Sequence, residues 1–317
     1  MIVETDRLAG SGRLTWSNVS DIGARLPTDD GGSVDVSSLD VVWWRRVNAL
    51  PQIPPGVTDS AHRQLITNDC RTALLGVLLD QFTGRWVSNP FATQWAENKL
   101  VQLRVAEACG LRVPRTLVSQ DPAEIRRFCK ELDNQVVVKA VRGTYFRPPL
   151  TVMLDGRLLD EDEAMALSPA IYQEYVPGRH HLRVHLLGAE VYAADLESGA
   201  LDWRPDMNIP VRPVQLPDDI TARLHLVLER LGVAMGVIDL KVADDGEPVW
   251  LELNAQGQFL FIEGLTGLPL ISAMADFLVS ETTKRPASTG HFPSHGSMAT
   301  MSSLGDSWRR PSDASGA

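Results

Sequence analysis

The sequence predicts an α+β fold with mainly antiparallel sheets, and three observations carry that expectation. Short strand-like runs follow one another across tight turns, as in Leu182–Leu187 and Val191–Leu196 around Gly188-Ala189. Helical periodicity comes in separate blocks, at 60–82, 90–109, 218–231 and 268–279. The strict β-α-β alternation that would build a parallel sheet is missing. The bulk composition of the 317 residues, 44% hydrophobic and 22% charged, excludes collagen-like, coiled-coil and wholly disordered chains.

In chain order, residues 1–40 are polar and turn-rich, with Asp29-Asp30-Gly31-Gly32 read as a loop. Leu39–Arg45 is an apolar run suited to a buried strand. Ser60–Phe82 repeats apolar residues at helical spacing behind a capping Asp59 or Thr58. Pro90–Cys109 reads as a second helix, with Pro at its start and Gly110 just past its end. Val136–Val141 is a β-branched strand, followed by a loop around Gly143. Thr151–Leu154 and Leu158–Leu159 flank Asp155-Gly156, a tight-turn signal. Ala170–Val176 is a further strand and Asp218–Leu231 a helix. Val237–Val242 and Val249–Leu253 are strands joined at Asp245-Gly246, and Leu268–Val279 closes the fold as a helix. From Glu281 onward, 19 of the last 37 residues are Ser, Thr, Gly or Pro, so a disordered tail is expected over 281–317.

Charge narrows the function. The formal net charge is −10, and an acidic chain without a basic patch is no nucleic-acid binder. Any anionic ligand must then be held by a few local cations or a metal. Only 5 of the 30 basic residues are lysines: Lys99, Lys130, Lys139, Lys241 and Lys284. Where a bare positive charge suffices the chain uses Arg, so each Lys marks a place to look. No run of about 18 uninterrupted apolar residues exists, so no membrane span is expected. The N-terminus lacks the order of a signal peptide. The three cysteines form no CxxC pair and read as reduced thiols of a cytoplasmic protein.

The segment around Asp245-Gly246 is the most informative. With a two-residue loop, Asp239 faces Glu252, Lys241 faces Trp250 and Val237 faces Asn254. Alternation puts Asp239, Lys241, Glu252 and Asn254 on one face. Two carboxylates directly opposite destabilise a sheet, whereas a divalent cation removes the objection, and hard oxygens from two carboxylates and an Asn suit Mg²⁺. A solvated polar face is the competing reading, weakened by the apolar neighbours in both strands. Lys139 lies in the apolar strand Gln135-Val-Val-Val-Lys-Ala, where a buried ammonium needs an anion such as a nucleotide phosphate. The loop at Arg142-Gly143-Thr144 has backbone amides that suit phosphates. Lys99, taken alone, reads equally well as an exposed helix residue.

Taken in order, Lys99, Lys139, Gln173-Glu174-Tyr175-Val176, Asp239-x-Lys241 and Glu252-x-Asn254 resemble the motifs of ATP-grasp ligases. The chain is similar in particular to the microviridin-type members, the graspetide ligases that crosslink side chains of ribosomal peptides. Further matching stretches are Val42-Trp43-Trp44-Arg45-Arg46, Trp86-Val-Ser-Asn-Pro90, Asn98-Lys-Leu-Val-Gln-Leu103, Gly110-Leu-Arg-Val-Pro114, Asp202-Trp203-Arg204 and Leu251-Glu-Leu-Asn-Ala-Gln-Gly-Gln258. The resemblance implies an ATP-grasp fold, two α+β subdomains sandwiching ATP, over 89–280. The central subdomain would cover about 115–178 and the C-terminal one 179–280, behind an abbreviated N-terminal domain over 1–88. It implies that Lys99 and Lys139 grip ATP phosphates and the edge of the base, with Gly143 and Lys241 also at the nucleotide. The hinge strand Gln173, Glu174, Tyr175 and Val176 would read adenine, mainly through Glu174 and Val176. Asp239, Glu252 and Asn254 would hold Mg²⁺, and Arg183 and Arg204 would be the catalytic arginines, set against the simpler reading of surface ion pairs. His181 stands at the ribose corner, where the family often carries an acid.

The implied chemistry is attack of a substrate carboxylate on the γ-phosphorus, followed by displacement of the acyl phosphate by a hydroxyl or amine. No enzyme nucleophile is needed, in keeping with the absence of a recognisable Ser/His/Asp or Cys/His arrangement. The implied partners are a ribosomal precursor peptide of leader plus core, whose leader docks on the central subdomain, and a second copy in a homodimer. Two other readings remain: a ligase of the same chemistry acting on free amino acids, a small peptide or a protein tail, and a nucleotide-binding regulator with a degenerate site. Trp43, Trp44, Arg45 and Arg46 suit either a substrate cleft or a buried strand.

Overall fold

A computed structural model of the chain describes residues 1–19, 23–45, 47, 51–142 and 151–284. Arg46, Gly143 with its loop, and the expected tail beyond Lys284 lie outside the described residues. The N-terminal part opens with a short kinked turn, α1 (Leu8–Ser11), and a small antiparallel pair, β1 (Arg25–Pro27) and β2 (Ser33–Asp35). The loop anticipated at Asp29–Gly32 joins that pair, with Gly31 at φ +82°. β3 (Val41–Trp43) pairs in parallel with β4 (Arg85–Val87) through the crossing helix α2 (Ser60–Gln81). Helix α2 starts where the sequence places it, because the Asp59 side chain accepts from His62 N at 2.8 Å. Leu74, Val77 and Leu78 of α2 pack on Leu26, Val36 and Phe82.

The single helix expected over 90–109 is two helices, α3 (Pro90–Ala96) and α4 (Lys99–Ala108). Asn98 makes the break: its side chain accepts from Leu100 N at 3.1 Å and Val101 N at 3.3 Å, so it caps a new helix rather than continuing the old one. Lys99 thereby stands in the first turn of α4.

A four-stranded antiparallel sheet follows, built from β5 (Thr116–Ser119), β6 (Val136–Ala140), β7 (Val152–Met153) and β8 (Ala170–Glu174) in the order β5-β8-β6-β7. Helices α5 (Pro122–Glu131) and α6 (Asp162–Ala166) cover it, with Ile125, Cys129 and Met165 against Val136 and Tyr172. The tight turn expected at Asp155-Gly156 does not form a hairpin. Asp155 instead caps a 3-10 turn, Gly156–Asp160, by accepting from Arg157 N.

The larger sheet contains β9 (His180–Leu187), β10 (Glu190–Glu197), β11 (Val211–Val214), β12 (Met235–Val242) and β13 (Pro248–Asn254), ordered β11-β10-β9-β12-β13 and antiparallel throughout. One face packs on α4 and on α7 (Asp218–Leu231), with Leu224, Leu228 and Leu231 against Val184, Ile238, Leu240 and Trp250. The other face meets α8 (Leu260–Thr266) and α9 (Leu270–Thr282), where Ile262, Met274 and Phe277 cover Ala194, Leu196 and Met235. Helix α9 runs past the expected end of order. Glu281 is 2% exposed and its carboxylate accepts from Arg85 Nε at 2.7 Å, which ties the helix end to β4.

Candidate active site

The β12–β13 hairpin carries the candidate carboxylates, and its register rests on two compensating irregularities. Its loop has three residues, Asp244-Asp245-Gly246, instead of the two expected. Ala243 N bonds Glu247 O at 3.0 Å, Gly246 N bonds Ala243 O at 2.8 Å, and Gly246 sits at φ +85°, where glycine is favoured. The extra residue shifts the pairing by one, so Lys241 faces Val249 rather than Trp250. A bulge at Leu251 shifts it back, and Asp239 again faces Glu252 and Val237 faces Asn254. The bulge also explains how Trp250 and Leu253, three residues apart, both enter the core beneath the sheet.

A row of charge crosses the sheet at this level. Arg183 on β9 is registered opposite Asp239, and its Nη1 donates to Asp239 Oδ1 at 2.9 Å and Oδ2 at 3.2 Å. Asp239 faces Glu252, and Glu252 Oε2 meets Lys99 Nζ at 3.2 Å. Each carboxylate thus has its own cation on the side away from the other, which offsets their repulsion. Burial pushes the Asp239 carboxyl above its ordinary range, reinforced by Glu252 and opposed by Arg183. Burial acts on Glu252 in the same sense, but Lys99, Lys139 and Arg204 outweigh it and hold that carboxyl below its ordinary value. Lys139, across the cleft on β6, is driven down to about 8 by burial, with Lys99 and Arg204 adding to the effect and Glu252 opposing it. Its Nζ donates to Gln173 Oε1 at 2.7 Å.

The arginines are held differently. Arg183 Nη2 also donates to Gln258 O at 2.9 Å, and its guanidinium lies 5.9 Å from the Trp203 ring centre and 5.4 Å from that of Phe261. Arg204 pairs with Asp202, its Nε donating to Oδ1 at 2.8 Å, and its side chain is 44% exposed. Asp202 in turn accepts from Thr151 N at 3.3 Å, which links this loop to the four-stranded sheet.

At the hinge, Glu174 N donates to Arg115 O at 2.8 Å and Tyr175 N to Gln135 O at 2.9 Å. The Glu174 amide is therefore already spent, which narrows the part it was expected to play in reading a base. The Tyr175 ring centre lies 5.6 Å from Lys241 Nζ, and Lys241 is registered opposite His181. His181 is buried and pushed down to about 4 by burial and then by Lys241, so it stands neutral. Asn254 is exposed, and its Oδ1 accepts from Gln256 N at 3.0 Å. Of the sequence candidates, then, Lys99, Lys139, Arg183, Arg204, Asp239 and Glu252 converge electrostatically, Lys241 with Tyr175 and His181 forms a second group, and Gly143 lies outside the described residues.

Sequence reasoning passed over Gln102. It is 2% exposed, donates to Ala96 O at 2.6 Å and Leu253 O at 2.8 Å, and accepts from Leu253 N at 2.8 Å. It serves the open edge of β13 as a one-residue strand would, at the residue between Glu252 and Asn254, and fixes the helix that carries Lys99. A polar residue three positions after Lys99, inside an otherwise apolar helix face, was its available signal. Gln102→Leu leaves the Leu253 amide and carbonyl buried without partners and is expected to cost about 2–4 kcal/mol, measured as a lower urea midpoint. Also unforeseen is His185, 1% exposed and pushed down to about 4 by burial and then by Arg183. Its unfolded counterpart binds a proton near pH 6.5, so folding stability falls as pH drops from about 6.5 toward 4, by up to about 3 kcal/mol. Urea midpoints measured across that window should depend less steeply on pH in His185→Leu, the remaining slope including the contribution of His181, which is depressed over the same range.

The donor set suits Mg²⁺ rather than a metal caged wholly by protein. Among the described residues no group of three or more His, Cys, Asp or Glu could hold a metal ion. Asp239, Glu252 and the Asn254 amide offer two carboxylates and one neutral oxygen, and Mg²⁺ is commonly held by one or two carboxylates completed by substrate phosphates and water. Among the described residues no helix is long and apolar enough to cross a membrane.

No family model matches the sequence. Among curated proteins, the chain is 30% identical over 148 residues to glutathione synthetase of Agrobacterium fabrum, a match covering 44% of this chain and 45% of that protein. It is 44% identical over 57 residues to N5-carboxyaminoimidazole ribonucleotide synthase of Mycobacterium tuberculosis, covering 18% of this chain and 13% of that protein. These matches thus span less than half the length of the curated relatives. Likeness to solved structures runs much further. Macrocyclase MdnC of Microcystis aeruginosa MRC, bound with precursor peptide MdnA, superposes with a TM-score of 0.78 at 26% identity, over 87% of this chain and 90% of that one. Macrocyclase MdnB of the same organism gives a TM-score of 0.72 at 28% identity, over 87% and 89% of the two chains. An ATP-grasp ligase associated with ribosomal peptide maturation in Chryseobacterium gregarium, in complex with ADP and a leader and core peptide, shares the fold with a TM-score of 0.75 at 24% identity, over 87% and 86%. With both sheets and the facing carboxylates in place, the chain has the ATP-grasp fold and is similar, over nearly nine-tenths of its length, to solved macrocyclases, one of them bound with its precursor peptide.

Proposed function

We propose that the chain is an ATP- and Mg²⁺-dependent ligase that activates Asp or Glu side chains of a ribosomal precursor peptide and closes them into macrocyclic esters or amides. The observation that carries this reading is the row Arg183–Asp239–Glu252–Lys99 facing Lys139 and Arg204, two adjacent carboxylates flanked by cations between two sheets. ATP would lie between the four-stranded and five-stranded sheets, its base toward Tyr175, Val176, Lys241 and His181. Lys99 and Lys139 would present point charges to its phosphates. Asp239, Glu252 and Asn254 would hold Mg²⁺, which neutralises phosphate charge when bound. Arg204, more exposed than Arg183 and paired with Asp202, would follow charge on the transferring phosphoryl group. Arg183 would keep Asp239 ionised.

In the reaction a peptide carboxylate oxygen bonds the γ-phosphorus as the bond to the ADP oxygen breaks. A peptide hydroxyl or amine then attacks the acyl carbon and phosphate leaves. The aromatic walls of Trp203 and Phe261 beside Arg183 suit a site that keeps water from the acyl phosphate.

The test mixes the chain, ATP and Mg²⁺ with a peptide encoded by a short neighbouring reading frame. One water lost per ring by mass spectrometry is expected, and an unchanged mass with the leader intact would overturn the reading. The glutathione synthetase match favours a second reading, ligation of a free amino acid or small peptide. ADP release driven by free amino acids without any precursor would select it. The resemblance further implies a homodimer, which light scattering of the purified chain checks.

A further inference from the structure

Lys139 is steered by a chain of hydrogen bonds that runs across three strands. Its ammonium donates to Gln173 Oε1 at 2.7 Å, and Gln173, 3% exposed on β8, donates from Nε2 to Thr116 Oγ1 at 2.8 Å. Thr116 is registered directly opposite Gln173, and its own hydroxyl donates to Pro114 O at 2.8 Å. A hydroxyl has one proton. Thr116 has spent it on Pro114 and can only accept from Gln173. The amide must therefore turn its NH₂ toward Thr116 and its oxygen toward Lys139. The inverted amide would set donor against ammonium on one side and acceptor against a committed hydroxyl on the other.

We propose that Gln173 is a positioning residue, which through Thr116 aims the Lys139 ammonium into the cleft. The nucleotide consequence rests on the reading of Lys139 given above. A lysine stem has many rotamers, and a fixed, buried, neutral acceptor selects among them without neutralising the charge. The competing attraction is Glu252, whose carboxylate favours the Lys139 ammonium. Without Gln173 the ammonium turns toward Glu252, and both a cation for phosphate and an oxygen for a metal are lost to an internal pair.

The experiment uses the full chain with Gln173→Leu, Thr116→Val and Thr116→Ser. Two readouts are taken: ATP-analogue affinity with Mg²⁺ by calorimetry, and acetylation of Lys139 by an amine-reactive ester without nucleotide, quantified by mass spectrometry. Gln173→Leu and Thr116→Val are expected to weaken nucleotide binding about tenfold, the worth of one hydrogen bond to a charged group. Both should change the Lys139 acetylation rate severalfold, while Thr116→Ser, which keeps the hydroxyl, stays within about twofold on both readouts. In a Lys139→Met background, Gln173→Leu should have no further effect on affinity. Additive losses in that background, a Thr116→Ser variant as impaired as Thr116→Val, or unchanged acetylation in Gln173→Leu would each overturn the proposal. If Lys139→Met alone leaves nucleotide affinity intact, the nucleotide reading of Lys139 fails, and the acetylation rates still decide whether Gln173 sets its position.

Discussion

Glu252→Gln is expected to lower ATP turnover about 10²–10³-fold, the usual loss when a group that organises transition-state charge is removed. The substitution keeps size and shape and deletes one negative charge from the point where Lys99, Lys139 and Arg204 converge. Those three cations then repel one another without a central anion, and in the proposed Mg²⁺ site Asp239 would lose its partner carboxylate. ADP release in the presence of the peptide substrate measures the effect. Turnover within a few-fold of the parent would move the reaction centre away from the β12–β13 hairpin.

Lys139→Met should separate function from stability. Under the proposed nucleotide role of Lys139, binding is expected to weaken by tenfold or more, since a charge-assisted contact to phosphate would disappear. Stability near pH 7 should rise, by up to about 3 kcal/mol, because burial drives the ammonium from 10.5 down to about 8. Between those two pH values the unfolded chain holds a proton at Lys139 that the folded chain has released, so the parent gains stability as pH rises and the variant does not. The advantage of Lys139→Met therefore fades from pH 8 toward 10.5. Urea midpoints at pH 7 and pH 10 check this, and an advantage equal at both would show that the ammonium is not the costly group. A stabilising variant that loses its ligand marks a residue kept for function.

The sequence made some elements plain and hid others for identifiable reasons. Helix α7 runs over the 218–231 block read from periodicity, because an amphipathic stripe and the left-handed Gly232 agree on its limits. The β9–β10 hairpin was equally legible from two residues, Gly188 and Ala189, between alternating strands. The break at Asn98 was not, since Asn reads as a tolerable helix residue until its cap hydrogen bonds are seen. Strand β11 is mostly open to solvent and contains Pro213, so it lacks a strand's apolar signature and exists because β10 offers it an edge. At the site, charged residues isolated in apolar strands gave away Lys139, Asp239 and Glu252. Their neutral supports stood out less: Gln102, Thr116 and Phe261 are ordinary residues whose part depends on distant segments meeting, and Trp203 was noticed only within the stretch Asp202-Trp203-Arg204, with no part assigned to its ring. The facing of Asp239 and Glu252 was reached from the wrong loop length, and the bulge at Leu251 restored it.

That bulge gives the hairpin a mechanical division. From Asp239 to Val237 on one strand and Glu252 to Asn254 on the other, pairing follows one count, and from Leu240 outward to the turn it follows another. The bulge works as a slip joint: the outer half can lengthen or shorten by a residue, provided the bulge is gained or lost with it, while the two carboxylates stay face to face. A tag or epitope inserted at Asp244–Gly246 enters on the outer side of that joint. The chain can therefore diversify the tip of this hairpin, and an experimenter can label it, without dealing the charged row a new register.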